Sequence, residues 1–234
     1  MKNHSILDLF LIPNPMKKIA FSLVAAILFS STVFANVIVP SDDFSDVAAS
    51  APYYKAVQYL REKGVLNGYI DSTFRPEAAV NRAEFLKIAL EVADISFSEM
   101  RNCYEDVQDE WFAVYVCTAA ELRLVNGYSD GYFRPEKNIN FAEASKIIVN
   151  AMKISVEKDK NDEWYKPFVT LLEGKRAIPV SVRSLEHAVT RAEMAEMMWR
   201  LLTREEKLES ANYKFLKMAT LSPYEIRQRP AKIL

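Results

Sequence analysis

Two arginines, Arg82 and Arg191, each stand directly after a helix-capping residue, in Asn81-Arg82-Ala83-Glu84 and Thr190-Arg191-Ala192-Glu193. Each tetrad fits a capping box: the Asn or Thr side chain accepts from the third amide, and the Glu reaches back to the cap's own N–H. A guanidinium is thereby set on the first turn of a helix. The backbone N–H groups there have no intrahelical partner, and the helix dipole is positive. Planar, bidentate donors at such a place are chemistry for a carboxylate. The plainer alternative is a surface arginine paired with a neighbouring acid. A third tetrad, Asn140-Phe141-Ala142-Glu143, keeps the box and carries a ring where the others carry the cation.

Other reactive types lead to less. Asp71 and Asp130 resemble calcium-loop acids, but counting back from Gly131 puts Tyr128 at a ligand position, so no metal is expected. Asp46 and Asp106 read as helix or turn caps before sugar contacts. His187 is the only histidine after His4 and has no nucleophile signature beside it. The chain is therefore read as a non-enzyme without a cofactor. An acid pair acting on a glycan would leave no mark in sequence, so a hydrolase stands only as a third reading.

These residues sit in a repeat. Asn67–Lys87 and Asn126–Lys146, fifty-nine residues apart, agree at twelve of twenty-one positions. Such a period means one supersecondary unit used again. Phe112, Val116, Ala119 and Ala120 mark a helix before the second copy's loop, Tyr53, Val57 and Leu60 one before the first, and Tyr165, Val169 and Leu172 a third. The fold expected is all-α: three helix–loop–helix units over residues 43–95, 103–154 and 160–203, the last degenerate, then a helical extension and tail over 204–234. Gly64 is the expected C′ glycine of the first helix. Gly68 and Gly127 are read as supplying positive φ to the loops, Pro76 and Pro135 as closing them, and Phe74 and Phe133 as pinning them to the core. Met194, Met197 and Met198 read as core filling.

A net charge of −1 gives no electrostatic case for nucleic acid. Met16-Lys17-Lys18, an apolar run of about 16 residues against the ~20 of a membrane span, and Val33-Phe34-Ala35 read as a signal peptide over residues 1–35, with Met16 as an alternative start. The exported chain would carry 27 basic and 30 acidic side chains. Cys103 and Cys117, the only cysteines, would then meet an oxidising compartment and pair; closing that loop stabilises by about 3 kcal/mol on the chain-entropy model.

Phe44-Ser45-Asp46-Val47, Tyr104-Glu105-Asp106-Val107, the Gly-Tyr-x-Asp-x-x-Phe-Arg-Pro loops and the Arg-Ala-Glu helix starts together resemble the S-layer homology (SLH) family. The resemblance covers roughly residues 43–202 and implies a pseudo-threefold helical assembly. It also implies non-covalent attachment to cell-wall polysaccharide, commonly a pyruvylated polymer, in grooves between neighbouring units. A ketal-linked pyruvate is a carboxylate on a sugar, which suits Arg82 and Arg191. Gly68, Tyr69, Gly127 and Tyr128 would give close backbone approach and an aromatic wall. Trp111 and Trp164 are read first as packing residues and second as groove residues that stack on sugar. Phe141 stands where the family has arginine, Pro52 replaces the tryptophan of the first unit, and Arg176–Ser181 replaces the third loop. At most two grooves are complete. The second function class is a helical protein–protein module, a subunit of an S-layer or other envelope assembly.

Overall fold

The computed structural model describes residues 43–157 and 159–220. The leader read over residues 1–35 and the tail from 221 lie outside them. The described residues form seven helices: α1 (Tyr54–Glu62), α2 (Arg82–Val92), α3 (Ala113–Glu121), α4 (Phe141–Ala151), α5 (Lys166–Gly174), α6 (Arg191–Thr203) and α7 (Tyr213–Thr220). Among the described residues there is no strand beyond isolated bridge pairings, and no helix is long and apolar enough to cross a membrane. The protein is all-α.

The helices α1, α3 and α5 bury the faces expected of them, with Val57 and Leu60, Val116 and Ala119, and Val169 and Leu172 fully enclosed. Each ends on a residue in the left-handed region: Gly64 (φ 71°), Arg123 (φ 56°) and Arg176 (φ 53°). Glycine makes that turn without strain at the first site only. The helices α2, α4 and α6 begin at three complete capping boxes. The Glu84, Glu143 and Glu193 amides donate to Asn81, Asn140 and Thr190 side chains at 2.8, 2.8 and 3.2 Å. The three carboxylates answer the cap amides at 3.1, 3.4 and 2.9 Å.

The packing partners do not follow the sequence repeat. The first helix of each unit lies against the second helix of the unit before it: α3 on α2, α5 on α4, and α1 on α6. The last pairing closes a ring. At its centre, one residue before each cap, three fully buried residues bond in a cycle. Val80 N–H donates to the Val189 carbonyl (2.9 Å), Val189 to Ile139 (3.0 Å) and Ile139 to Val80 (3.0 Å). This is a pseudo-threefold axis written in backbone hydrogen bonds. No single unit owns its core, because every helix pair is shared between two repeats.

The loops that carry Tyr69 and Tyr128 are held by the acids read as turn caps. Asp46 accepts from the Phe74 and Arg75 amides, and Asp106 from those of Phe133 and Arg134, all at 2.7 Å. Phe74 and Phe133 are fully buried, pinning the loops as expected. Gly68 and Gly127 are a correction: neither has positive φ, which falls instead on Ser72, Gly131, Arg75 and Arg134. They are glycines because rings press on them. A Cβ on Gly68 would stand 2.3 Å from a Phe44 ring carbon, and one on Gly127 2.4 Å from a Tyr104 ring carbon.

Cys103 and Cys117 form the expected disulfide, their Cα atoms 5.5 Å apart, tying the entry of the second unit to the buried face of α3. Met194, Met197 and Met198 are core residues, as read. The chain after α6 folds back on the third unit. The Ala211 N–H donates to the Ile178 carbonyl (3.1 Å), and α7 packs on α5 with Leu216 buried.

Candidate functional site

The backbone amides offered to a carboxylate by the sequence are not available, which corrects that expectation. At α2, the Arg82 and Ala83 N–H groups donate to the Lys137 and Pro135 carbonyls of the second unit at 2.9 and 3.1 Å. At α4, Phe141 and Ala142 donate to His187 and Leu185; at α6, Arg191 and Ala192 donate to Ala78 and Pro76, at 2.9 to 3.1 Å. The capping side chain takes the third amide. Each helix start is thus spent on joining its unit to the next, and only side chains remain for recognition.

Each arginine reaches across the seam that its helix start joins. Arg82, 5% exposed, donates through Nε to the Phe133 carbonyl (3.0 Å), and its Nη1 lies 3.5 Å from Glu143 Oε1. Its guanidinium stacks over the Phe133 and Tyr128 rings, 4.6 and 5.1 Å from their centres. Arg191 repeats this one unit on. Its Nε donates to the Phe74 carbonyl (2.6 Å), its Nη2 to the Asn67 carbonyl (3.1 Å), and it faces the Phe74 and Tyr69 rings at 4.6 and 5.1 Å. Both are struts between units as well as walls of a cavity. The loop arginines lie against the same tyrosines: Arg75 is 3.8 Å from the Tyr69 ring centre and Arg134 4.1 Å from that of Tyr128. Asp71 and Asp130 pair with Arg75 and Arg134 at 3.0 and 2.5 Å, so these acids brace the loops. Hydrogen bonds from Thr73 and Arg75 hold the Asp71 carboxyl at about 2, below its usual 3.8.

Two of the seams open into grooves at corresponding positions. The first, of about 390 Å³, is lined by Arg82, Gly127, Tyr128, Glu143, Lys146 and Trp164. The second, of about 210 Å³, is lined by Arg191, Asn67, Glu84, Lys87, Ile88 and Trp111. They share one set: arginine from one unit, glutamate and lysine from the next, and tryptophan from just before the helix that packs against it; Gly127 and Tyr128 line the first groove, whereas Gly68 and Tyr69, expected in the second, are not among its lining residues. Trp111 and Trp164 are each 53% exposed, so they are groove walls rather than the packing residues they were first read as. Lys87 and Lys146 were not singled out by sequence, although they close the twelve identities of the repeat. Lys137 carried no such signal, because Ala78 holds its place in the first copy.

The third seam has the opposite character. Phe141 is fully buried where the other seams have arginine, Pro52 stands for tryptophan, and Glu196 takes the place of Lys87 and Lys146. Glu196 pairs with Arg200, both buried, and Leu208 and Glu209 of the returning chain form part of the wall. Arg200 donates to the Arg176 and Glu209 carbonyls (both 2.8 Å), and Arg176 to that of Leu208 (2.7 Å), fixing that segment in place. The Gly-Tyr loop is missing here, and the chain's own extension borders the cavity instead.

Residues 43–86 and 104–145 match the S-layer homology domain family; the third unit lies outside both matches. The chain is 28% identical over 142 residues to the surface layer protein of Brevibacillus choshinensis, covering 58% of this chain and 13% of that one. It is 25% identical over 196 residues to the middle cell wall protein of Brevibacillus brevis, covering 78% and 18%. To the cellulosome-anchoring protein of Acetivibrio thermocellus it is 26% identical over 115 residues, covering 47% and 26%. The chain therefore spans between about an eighth and a quarter of the length of these relatives.

Proposed function

We propose that this chain, which carries S-layer homology domains in its first two helix–loop–helix units, binds an acidic cell-wall polysaccharide in the two corresponding grooves and so holds itself or a partner at the cell surface. The observation that carries this reading is the duplication of one side-chain set across two seams: Arg82, Lys146 and Trp164 in one, Arg191, Lys87 and Trp111 in the other. A half-exposed indole beside fixed cations is suited to an acidic sugar, the ring stacking on tryptophan and the carboxylate facing the positive groups. A pyruvyl ketal is a group of that chemistry. The relatives named for the surface layer, the cell wall and anchoring agree with an extracytoplasmic role, reached through the leader read at residues 1–35.

The test is sedimentation with purified, chemically defined wall-polymer fractions. Arg82 and Arg191 are poor first targets, since truncating either also removes a strut between units. Trp111→Ala and Trp164→Ala disturb little of the core, and the double variant should stay folded by circular dichroism while losing most pelleting. A wild-type protein that pellets with no fraction, or a folded double variant that pellets undiminished, would refute the reading. The first of those outcomes would favour the protein–protein module.

A further inference from the structure

We infer that the two grooves are unequal, and that Lys137 makes the Arg82–Trp164 groove the stronger site for an anionic sugar. The inference rests on the glycan reading above and adds which groove acts first and why. In both grooves the capping-box glutamate faces the cavity that the ligand's carboxylate would enter. An uncompensated carboxylate there repels an anion.

In the first groove that charge is answered. Glu143 Oε1 has Arg82 Nη1 at 3.5 Å, Lys137 Nζ at 3.5 Å and the Tyr128 hydroxyl donating at 2.9 Å. Lys137 also donates to the Tyr128 hydroxyl at 3.1 Å, which ties this cation to the phenol and carboxylate that line the groove. That hydrogen bond, followed by the charge of Glu143, raises the Lys137 pKa and keeps it charged over the whole working range. In the second groove Ala78 occupies the Lys137 position, and Arg191 directs its Nε and Nη2 to backbone carbonyls. Among the described residues no cation pairs with Glu84, while Lys87 lies 3.7 Å from Glu91. The second groove is also the smaller, and its glutamate has no ion pair among the described residues. The third seam has exchanged its cations for Phe141 and Glu196 and is no site for an anion.

The two tryptophans give each groove its own reporter. A pyruvyl-ketal hexoside, with its methyl ester as the uncharged control, is titrated into ¹⁵N-labelled full chain while the indole N–H signals are followed. Trp199 is 8% exposed in the core and serves as the internal reference. The Trp164 signal should reach its midpoint at about fivefold lower ligand concentration than that of Trp111, the worth of one half-exposed charge. Lys137→Ala should bring the Trp164 midpoint to that of Trp111 and leave the latter alone; Ala78→Lys should strengthen the Trp111 response. Coincident wild-type midpoints, or a Trp164 curve unmoved by Lys137→Ala, would overturn the inference while leaving glycan binding intact. No response of either indole to the acid would overturn both.

Discussion

Replacing Asp106 by alanine tests the link between a loop anchor and the first groove. Its carboxylate accepts two backbone N–H bonds, from Phe133 and Arg134, at 2.7 Å each. The Phe133 bond is partly buried, and a charge-assisted bond there contributes about 1.5–3 kcal/mol; the exposed Arg134 bond is discounted to under about 1 kcal/mol. Arg134 sits at φ 59°, a left-handed conformation that the carboxylate helps to hold; its relaxation in the variant returns part of the loss. The expected cost is about 2–3 kcal/mol in urea unfolding with an unchanged m value. Asp106→Asn, which keeps one acceptor and no charge, should cost about half as much. The Phe133 carbonyl receives Arg82 Nε at 3.0 Å, so the freed loop should also shift the Trp164 indole signal and spare that of Trp111. A cost below about 0.5 kcal/mol for the alanine variant, or an asparagine variant as stable as wild type, would refute the reasoning.

Gly68→Ala should destabilise by about 1–3 kcal/mol through collision with the Phe44 ring, and a double-mutant cycle with Phe44→Ala should show that the two losses are less than additive; strict additivity would mean that the ring is not the obstacle. Carboxyl NMR should find Asp71 titrating near 2. Because its folded pKa is depressed, the stabilisation is present above the ordinary carboxylate range and lost as pH falls through about 2; Thr73→Ala should move the midpoint upward, and an unshifted wild-type midpoint would count against the network. Reducing Cys103–Cys117 should cost about 3 kcal/mol, read as a shift in the urea midpoint, and alkylation before reduction should add no mass. A fragment of residues 43–95 should not unfold cooperatively, because α1 and α2 each take their packing partner from another unit; a sigmoidal transition would show otherwise.

What the sequence determined by itself was local. The capping boxes at Asn81, Asn140 and Thr190, the left-handed Gly64 after α1, and the buried Val57–Leu60 and Val116–Ala119 faces depend on neighbours within a few residues, and all are present. The repeat likewise announced the all-helical class and marked Asp46 and Asp106 as turn anchors. Tertiary structure decided everything that lies across a seam. The amides at each helix start looked unpaired because their acceptors, such as the Pro135 and Lys137 carbonyls for α2, belong to another repeat some fifty residues away. Gly68 and Gly127 looked like φ > 0 positions because nothing in their own loops shows the Phe44 and Tyr104 rings that bear on them. Trp111 and Trp164 became groove walls only when α3 and α5 packed on the second helix of the unit before. Lys137 meets Glu143 and Tyr128 within its own unit, and Arg82 from the unit before completes their network across the seam. Short-range hydrogen bonds are written in adjacent residues, whereas the partner of a seam residue is chosen by ring closure, which no local pattern records.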